Sequence, residues 1–171
     1  REKGYENLIE AFGLFVNDVK NARLLIIGEG SERKALESKI NNMGLLGKVF
    51  LPGYRNQAWR YLSYCKTFVL SSLTEGLPIS LLEAMQRGLP VVATRVGAIP
   101  NVISHKETGF LVPPGNIDAI YVILKKIYEN YALCIDMASR AKKHVLNEFK
   151  SAQVAERYIE VYRTLDSKNF V

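Results

Sequence analysis

The sequence has no apolar run near the roughly 20 residues that a membrane-crossing helix needs. Its longest, such as Thr67 to Leu70 and Val91 to Ala93, are a fraction of that length. The opening Arg-Glu-Lys-Gly has no apolar stretch behind it, so no signal or transit peptide is legible, and the start reads as a cut through a larger protein. Cysteine is scarce: Cys65 and Cys134 stand alone, in no CxxC pair and no metal-ligand spacing, as expected of reduced thiols in the core of a cytoplasmic protein. Histidine is equally scarce. His105 and His144 are far apart, and no Asp-x-Asp occurs, so no metal site is expected. His105 shows no partner and reads as a surface residue.

What is present is the composition of a folded protein. Of 171 residues, 48% are hydrophobic and 23% charged, enough for one core and one domain over 1–171, with no room for a second catalytic domain. A net charge of +6 favours anionic partners: a nucleotide diphosphate, an anionic membrane surface or nucleic acid. Nucleic acid is set aside, because neither a recognised motif nor aromatics interleaved on a basic face are visible. The basic run Arg140, Lys142, Lys143 and Lys150 reads first as a solvated helix face and second as a peripheral membrane contact.

Helical periodicity alternates with short apolar strands. Tyr5, Leu8, Ile9, Phe12, Phe15, Val16 and Val19 predict a helix over 4–20. A strand Arg23 to Ile27 follows, then a helix capped by Ser31 and running to Met43 with Gly44 at its end. Further on come a strand Val49 to Leu51, a helix Gln57 to Tyr64, a strand Phe68 to Ser71, a helix Ile79 to Gln86 and strands Val91 to Ala93 and Gly109 to Val112. Helices over 117–130, 133–147 and 151–166 close the chain. Strands apolar throughout and alternating with helices imply an α/β, Rossmann-like parallel sheet flanked by helices, whose ligands sit beyond the carboxyl ends of the strands.

The loop from Ser71 into the helix at Ile79 is the most informative. Pro78 fits a first helical turn, which leaves the amides of Ile79 and Ser80 free to face an anion. Glu75 lies on the loop, where it can accept from sugar hydroxyls. Glu83 is a little over one turn into the helix and leans back towards the same mouth, placed to accept from paired hydroxyls such as those of a ribose. Two glutamates eight positions apart mean little by count alone. Their setting gives them meaning: Gly76, Pro78, and the following Gly88-Leu89-Pro90-Val91-Val92-Ala93-Thr94.

This block resembles the E-x7-E region of the retaining GT-B glycosyltransferases of family 4, the "glycosyl transferases group 1" set. The resemblance continues through Val96-Gly97-Ala98-Ile99-Pro100-Asn101-Val102-Ile103 and Glu107-Thr108-Gly109-Phe110-Leu111-Val112-Pro113, and back to Lys3-Gly4 and Gly28-Glu29-Gly30. It implies the C-terminal half of a GT-B fold. It further implies that Glu75 contacts the donor sugar and Glu83 the ribose, that Leu77, Ile79 and Ser80 offer backbone amides to sugar and diphosphate, and that Lys3 is the diphosphate lysine. Gly28-Glu29-Gly30 reads as a tight turn lining the site. Gly53 and Tyr54, with Arg55, fit either backbone contacts to the nucleobase or a plain solvent loop. Thr94, Arg95 and Gly97 border the site but read as a structural turn.

Breaking the anomeric C–O bond puts negative charge on the departing diphosphate, which a lysine, an arginine and a helix N-terminus stabilise with no metal or other cofactor. The family's arginine upstream of the lysine, its first strand and its N-terminal acceptor domain are not in this sequence. The expectation is therefore a donor-binding half that takes a nucleoside-diphosphate sugar for glycan or lipid-linked saccharide synthesis and has little activity alone. The missing strand should leave a gap between Arg23 to Ile27 and Phe68 to Ser71. The alternative is a non-catalytic sugar-nucleotide-binding module, against which the presence of both glutamates counts.

Overall fold

A computed structural model describes residues 2–149 and Ile159; the helix expected over 151–166, like Lys150, lies outside the described residues. In chain order the elements are α1 (Tyr5–Asp18), β1 (Leu24–Ile27), α2 (Arg33–Asn42), β2 (Val49–Gly53), a 3-10 segment (Ala58–Tyr64), β3 (Phe68–Leu70), α3 (Ile79–Gln86), β4 (Val91–Thr94), α4 (Ile99–Val102), β5 (Phe110–Val112), α5 (Ile117–Glu129) and α6 (Tyr131–Glu148). All strand pairs are parallel.

The strands form two sheets, β1-β2 and β3-β4-β5, with Leu24 opposite Val49 in one, and Val69 opposite Val92 and Ala93 opposite Leu111 in the other. Among the described residues β1 and β3 are not paired with each other. Pro52 sits in β2, whose one recorded partner is β1; such an edge position tolerates the missing N–H. β4 is buried at all four residues, and its side chains alternate between two cores. Val91 and Ala93 pack with Leu81, Met85 and Val145 on one face of the sheet, and Val92 packs with Leu8, Ile120 and Leu124 on the other. Leu81 and Met85 are fully buried, so truncating either to alanine is expected to cost ~2–5 kcal/mol.

Helix α1 joins the sheets. Its Leu8 and Ala11 belong to the core under β4 and β5, while Ile9, Phe12 and Val16 pack with Ile26, Leu36 and Val49 against β1 and β2. A helix with two buried stripes can hold together strands that do not hydrogen-bond to each other.

Glycine ends two helices by the same geometry. After α2, Gly44 takes φ +66, and the amides of Gly44 and Leu45 return to Asn41 and Ile40 carbonyls at 3.0 and 2.9 Å. After α3, Gly88 at φ +71 does the same, with Leu89 donating to Ala84. Buried Leu45 and Leu89 complete both motifs.

Three expectations need correction. Ser31 does not cap α2: the helix begins at Arg33 after Glu32, with no side-chain cap. The segment expected as a helix over Gln57 to Tyr64 is 3-10 and buries none of its residues, because it has no apolar stripe to hold an α-helix against the sheet. A single helical turn, α4, stands where the sequence suggested only loop.

Candidate functional site

The parallel strands direct their carboxyl ends, and the loops that follow, to one side of the molecule. At the exit of β3 two remote parts of the chain are tied together. Ser71 Oγ donates to the Lys3 carbonyl at 3.0 Å and the Leu73 amide donates to the Glu2 carbonyl at 2.7 Å. Gly4, at φ +62, passes so close that a Cβ there would lie 2.1 Å from the Ser71 carbonyl oxygen. The start of α1 is thereby pinned to the mouth of β3, which explains why Lys3 ends up beside a residue 72 positions away.

Lys3 Nζ donates to Glu75 Oε1 at 2.7 Å, and Ser72 Oγ donates to the same oxygen at 2.7 Å. Lys3 is half exposed and Glu75 nearly buried, so the carboxylate is fixed and the ammonium is reached from solvent. Buried Thr94 supports the loop from below, donating to the Ser72 carbonyl at 2.6 Å. Gly97 supports it from the side: the Ala98 amide donates to the Gly76 carbonyl at 3.0 Å, and a Cβ on Gly97 would stand 1.9 Å from the Glu75 carbonyl oxygen. Tyr5 lies beside this pair. Burial raises its phenol pKa, an effect that Lys3 opposes and Glu75 reinforces.

Pro78 is the N-cap of α3 and not a residue of its first turn, with an extended ψ of 123° that aims the chain into the helix. Leu77, Ile79 and Ser80 are exposed. The first amides of a helix have no acceptor within it, so those of Ile79 and Ser80 are available at the mouth. Glu83, one turn further, is half-buried, and its carboxylate makes no hydrogen bond or ion pair among the described residues.

A second cluster forms at the exits of β1 and β2. The Gly28 amide donates to the Gly53 carbonyl at 3.1 Å, and Gly53, at φ +81, passes so close to Glu29 that a Cβ would meet its carboxylate at 2.3 Å. Arg33 donates to Glu29 at 3.0 Å and to the Leu51 carbonyl at 2.8 Å, fixing this rim. Tyr54 extends into solvent at 71% exposure, and Arg55 reaches only the Tyr54 carbonyl. The Gly28 and Gly53 loops are therefore brought together, and the Tyr54 side chain projects from this rim into solvent.

Sequence reasoning missed Ser72, and it read Gly97 as a structural turn without seeing that the turn braces the Glu75 loop. The signal was available in both cases: two serines ending an apolar strand, and a glycine where the chain turns after the next strand. It read His105 rightly as an exposed residue but missed its partner: Nδ1 accepts the Leu111 amide at 3.0 Å. Among the described residues, no three His, Cys, Asp or Glu side chains gather as a cation would require, and no helix is long and apolar enough to cross a membrane. A cleft of about 430 Å³ lined by Glu10, Gly13, Met43 and Lys48 contains none of the candidate site residues.

Residues 1–144 match the family described as "Glycosyl transferases group 1". The chain belongs to that family. It is 30% identical over 169 residues to N-acetyl-alpha-D-glucosaminyl L-malate synthase of Bacillus anthracis, covering 98% of this chain and 44% of that protein. It is 31% identical to the amylovoran biosynthesis glycosyltransferase AmsK of Erwinia amylovora, covering 96% of this chain and 42% of that one. The chain thus spans less than half the length of these relatives. Among solved structures, TarM of S. aureus, in a complex that includes UDP, superposes with a TM-score of 0.87 at 26% identity, covering 95% of this chain and 33% of that one. The fold is the C-terminal half of a GT-B glycosyltransferase, as the family resemblance implied.

Proposed function

We propose that the protein is the donor-binding half of a metal-independent, retaining glycosyltransferase that uses a nucleoside-diphosphate sugar in glycan synthesis. The observation that carries this reading is the Lys3–Glu75 pair at the N-terminus of α3, with the unpartnered carboxylate of Glu83 behind it. The ammonium and the helix amides suit a diphosphate. Glu75, held by Ser72, suits the hydroxyls of the donor sugar, and Glu83 suits a ribose. Because Lys3 is half exposed, its pair with Glu75 is worth no more than ~1 kcal/mol and is readily exchanged for a doubly charged ligand. UDP in the related TarM complex supports a nucleoside diphosphate as the ligand class.

A further strand between β1 and β3, and an acceptor-binding domain outside this sequence, would complete the enzyme. The absence of pairing between β1 and β3 supports the first, and the length of the relatives supports the second. Calorimetric titration with UDP, GDP and ADP in the presence of EDTA tests the reading. Metal-free binding of one nucleotide is expected, weakened about tenfold or more by Lys3→Ala and by Glu83→Ala, the scale of a lost charged hydrogen bond. Binding that requires a divalent cation, or that ignores both substitutions, refutes it.

A further inference from the structure

The 3-10 segment Ala58–Tyr64 leaves its aromatic side chains in solvent: Tyr64 is 88% exposed, Trp59 39% and Tyr61 37%. From Ser38 to Thr74 the chain carries five basic residues and no acidic one. Aromatics and cations are interleaved in space as well as in sequence. The guanidinium of Arg87, at the end of α3, stacks 4.6 Å from the centre of the Trp59 ring, and that of Arg60 lies 5.4 Å from it. Arg87 also donates to Ser63 Oγ at 3.4 Å, which fixes the segment to α3. Lys66, two residues beyond Tyr64, lies over the ring of Tyr131 at 5.5 Å. The sequence reading that no aromatics interleave with a basic face is thus corrected by the fold, which adds Arg87 from a separate element. The basic run on α6 contributes less: Arg140 donates to the Glu107 carbonyl.

Exposed aromatic side chains accompanied by cations, on a stretch of chain that carries no acidic residue, mark a contact surface. We propose that this face rests on an anionic lipid bilayer, with Trp59, Tyr61 and Tyr64 in the headgroup layer and Arg60, Lys66 and Arg87 against lipid phosphates. Tyrosine and tryptophan suit that layer because one end of the ring system is apolar and the other polar, and each nearby cation adds attraction to an anionic leaflet. A nucleic acid fits less well. Base stacking needs an open ring face, and guanidinium groups already lie over Trp59.

Trp59 is the only tryptophan of the chain, so its emission reports on this face without any substitution. The protein is titrated with vesicles of phosphatidylcholine, with and without phosphatidylglycerol. The expected result is a blue shift and co-sedimentation with the anionic vesicles only, weakened about fivefold by each of Arg60→Gln and Lys66→Gln. Tyr64→Ala, at a side chain that packs on almost nothing, is expected to weaken binding while leaving the melting temperature and UDP affinity unchanged. No shift with anionic vesicles, equal binding by these variants, or a shift produced instead by an oligonucleotide overturns the proposal. None of these outcomes bears on the donor site, which is read by UDP titration.

Discussion

Replacing Gly97 by alanine should separate the two jobs of the loop that carries Glu75. Gly97 has φ +53, a left-handed conformation that costs an alanine about 1–2 kcal/mol. The added methyl would also stand 1.9 Å from the Glu75 carbonyl oxygen and 2.9 Å from that of Gly76, both backbone atoms that no rotamer can move. The two loops must part by more than about 1 Å, which sacrifices the bond from the Ala98 amide to the Gly76 carbonyl and costs about 0.5–1.5 kcal/mol more. The sum, roughly 1.5–3.5 kcal/mol, lowers the melting temperature by about 3–14 °C for a domain of this size. The displaced group is Glu75, so binding of the donor sugar should suffer more than binding of free UDP, which the proposed function assigns to Lys3 and Glu83. The control is Gly76→Ala, where a Cβ meets nothing within 4 Å. Thermal melting and calorimetry with UDP and UDP-sugars read both effects. If Gly97→Ala and Gly76→Ala melt together and bind UDP-sugar equally, the close approach at Gly97 does not position Glu75 and the account of this loop fails.

Two further outcomes are expected. Glu75→Gln removes the charge that holds Lys3, so UDP should bind as well as before or up to about fivefold more tightly, the scale of a half-exposed ion pair, while UDP-sugar loses affinity; weaker UDP binding would show that Glu75 serves the diphosphate instead. The His105 pKa is held below its ordinary value, first by burial of the ring and then by Lys106, Arg95 and Lys126. The unfolded chain therefore takes up this proton first. The stability that neutral His105 contributes is whole above about pH 6.5 and declines as pH falls below it towards the lowered folded value. A melting series from pH 8 to pH 5 in which His105→Gln shows the same slope as the parent protein would exclude this residue as the source.

The fold was legible where local chemistry decides it. Apolar runs such as Leu24–Ile27 and Val91–Thr94, punctuated by Gly28, Gly44 and Gly88, predict strand and helix ends because those glycines adopt backbone angles that other residues avoid. It was illegible where one turn or a tertiary contact decides it. Helix α4 is four residues long, too short for any periodicity, and its one signal was Pro100 near the start. The Gln57–Tyr64 segment reads as a helix by composition, but its stack with Arg87 and its exposure are properties of the assembled fold. The acceptor role of His105 depends on a bond to Leu111 that brings the loop back beside β5, which residue type alone does not reveal.

The candidate site shows the same division more sharply. Glu75 lies on a loop and Glu83 on the helix that follows it, so the expectation that both face one mouth can be drawn from helix geometry alone. Lys3 does not follow from any spacing; only the family resemblance pointed to it. Its physical cause lies in contacts that no spacing reveals: Ser71 and Leu73 bind the backbone of Lys3 and Glu2, and the missing side chain of Gly4 permits the approach. Helix α1 then carries this arrangement across to the other sheet through Ile9, Phe12 and Val16. The clusters at Glu75 and at Gly28–Gly53 sit on two sheets, and α1 packs against both, so its buried stripes help to set how far apart the clusters stand.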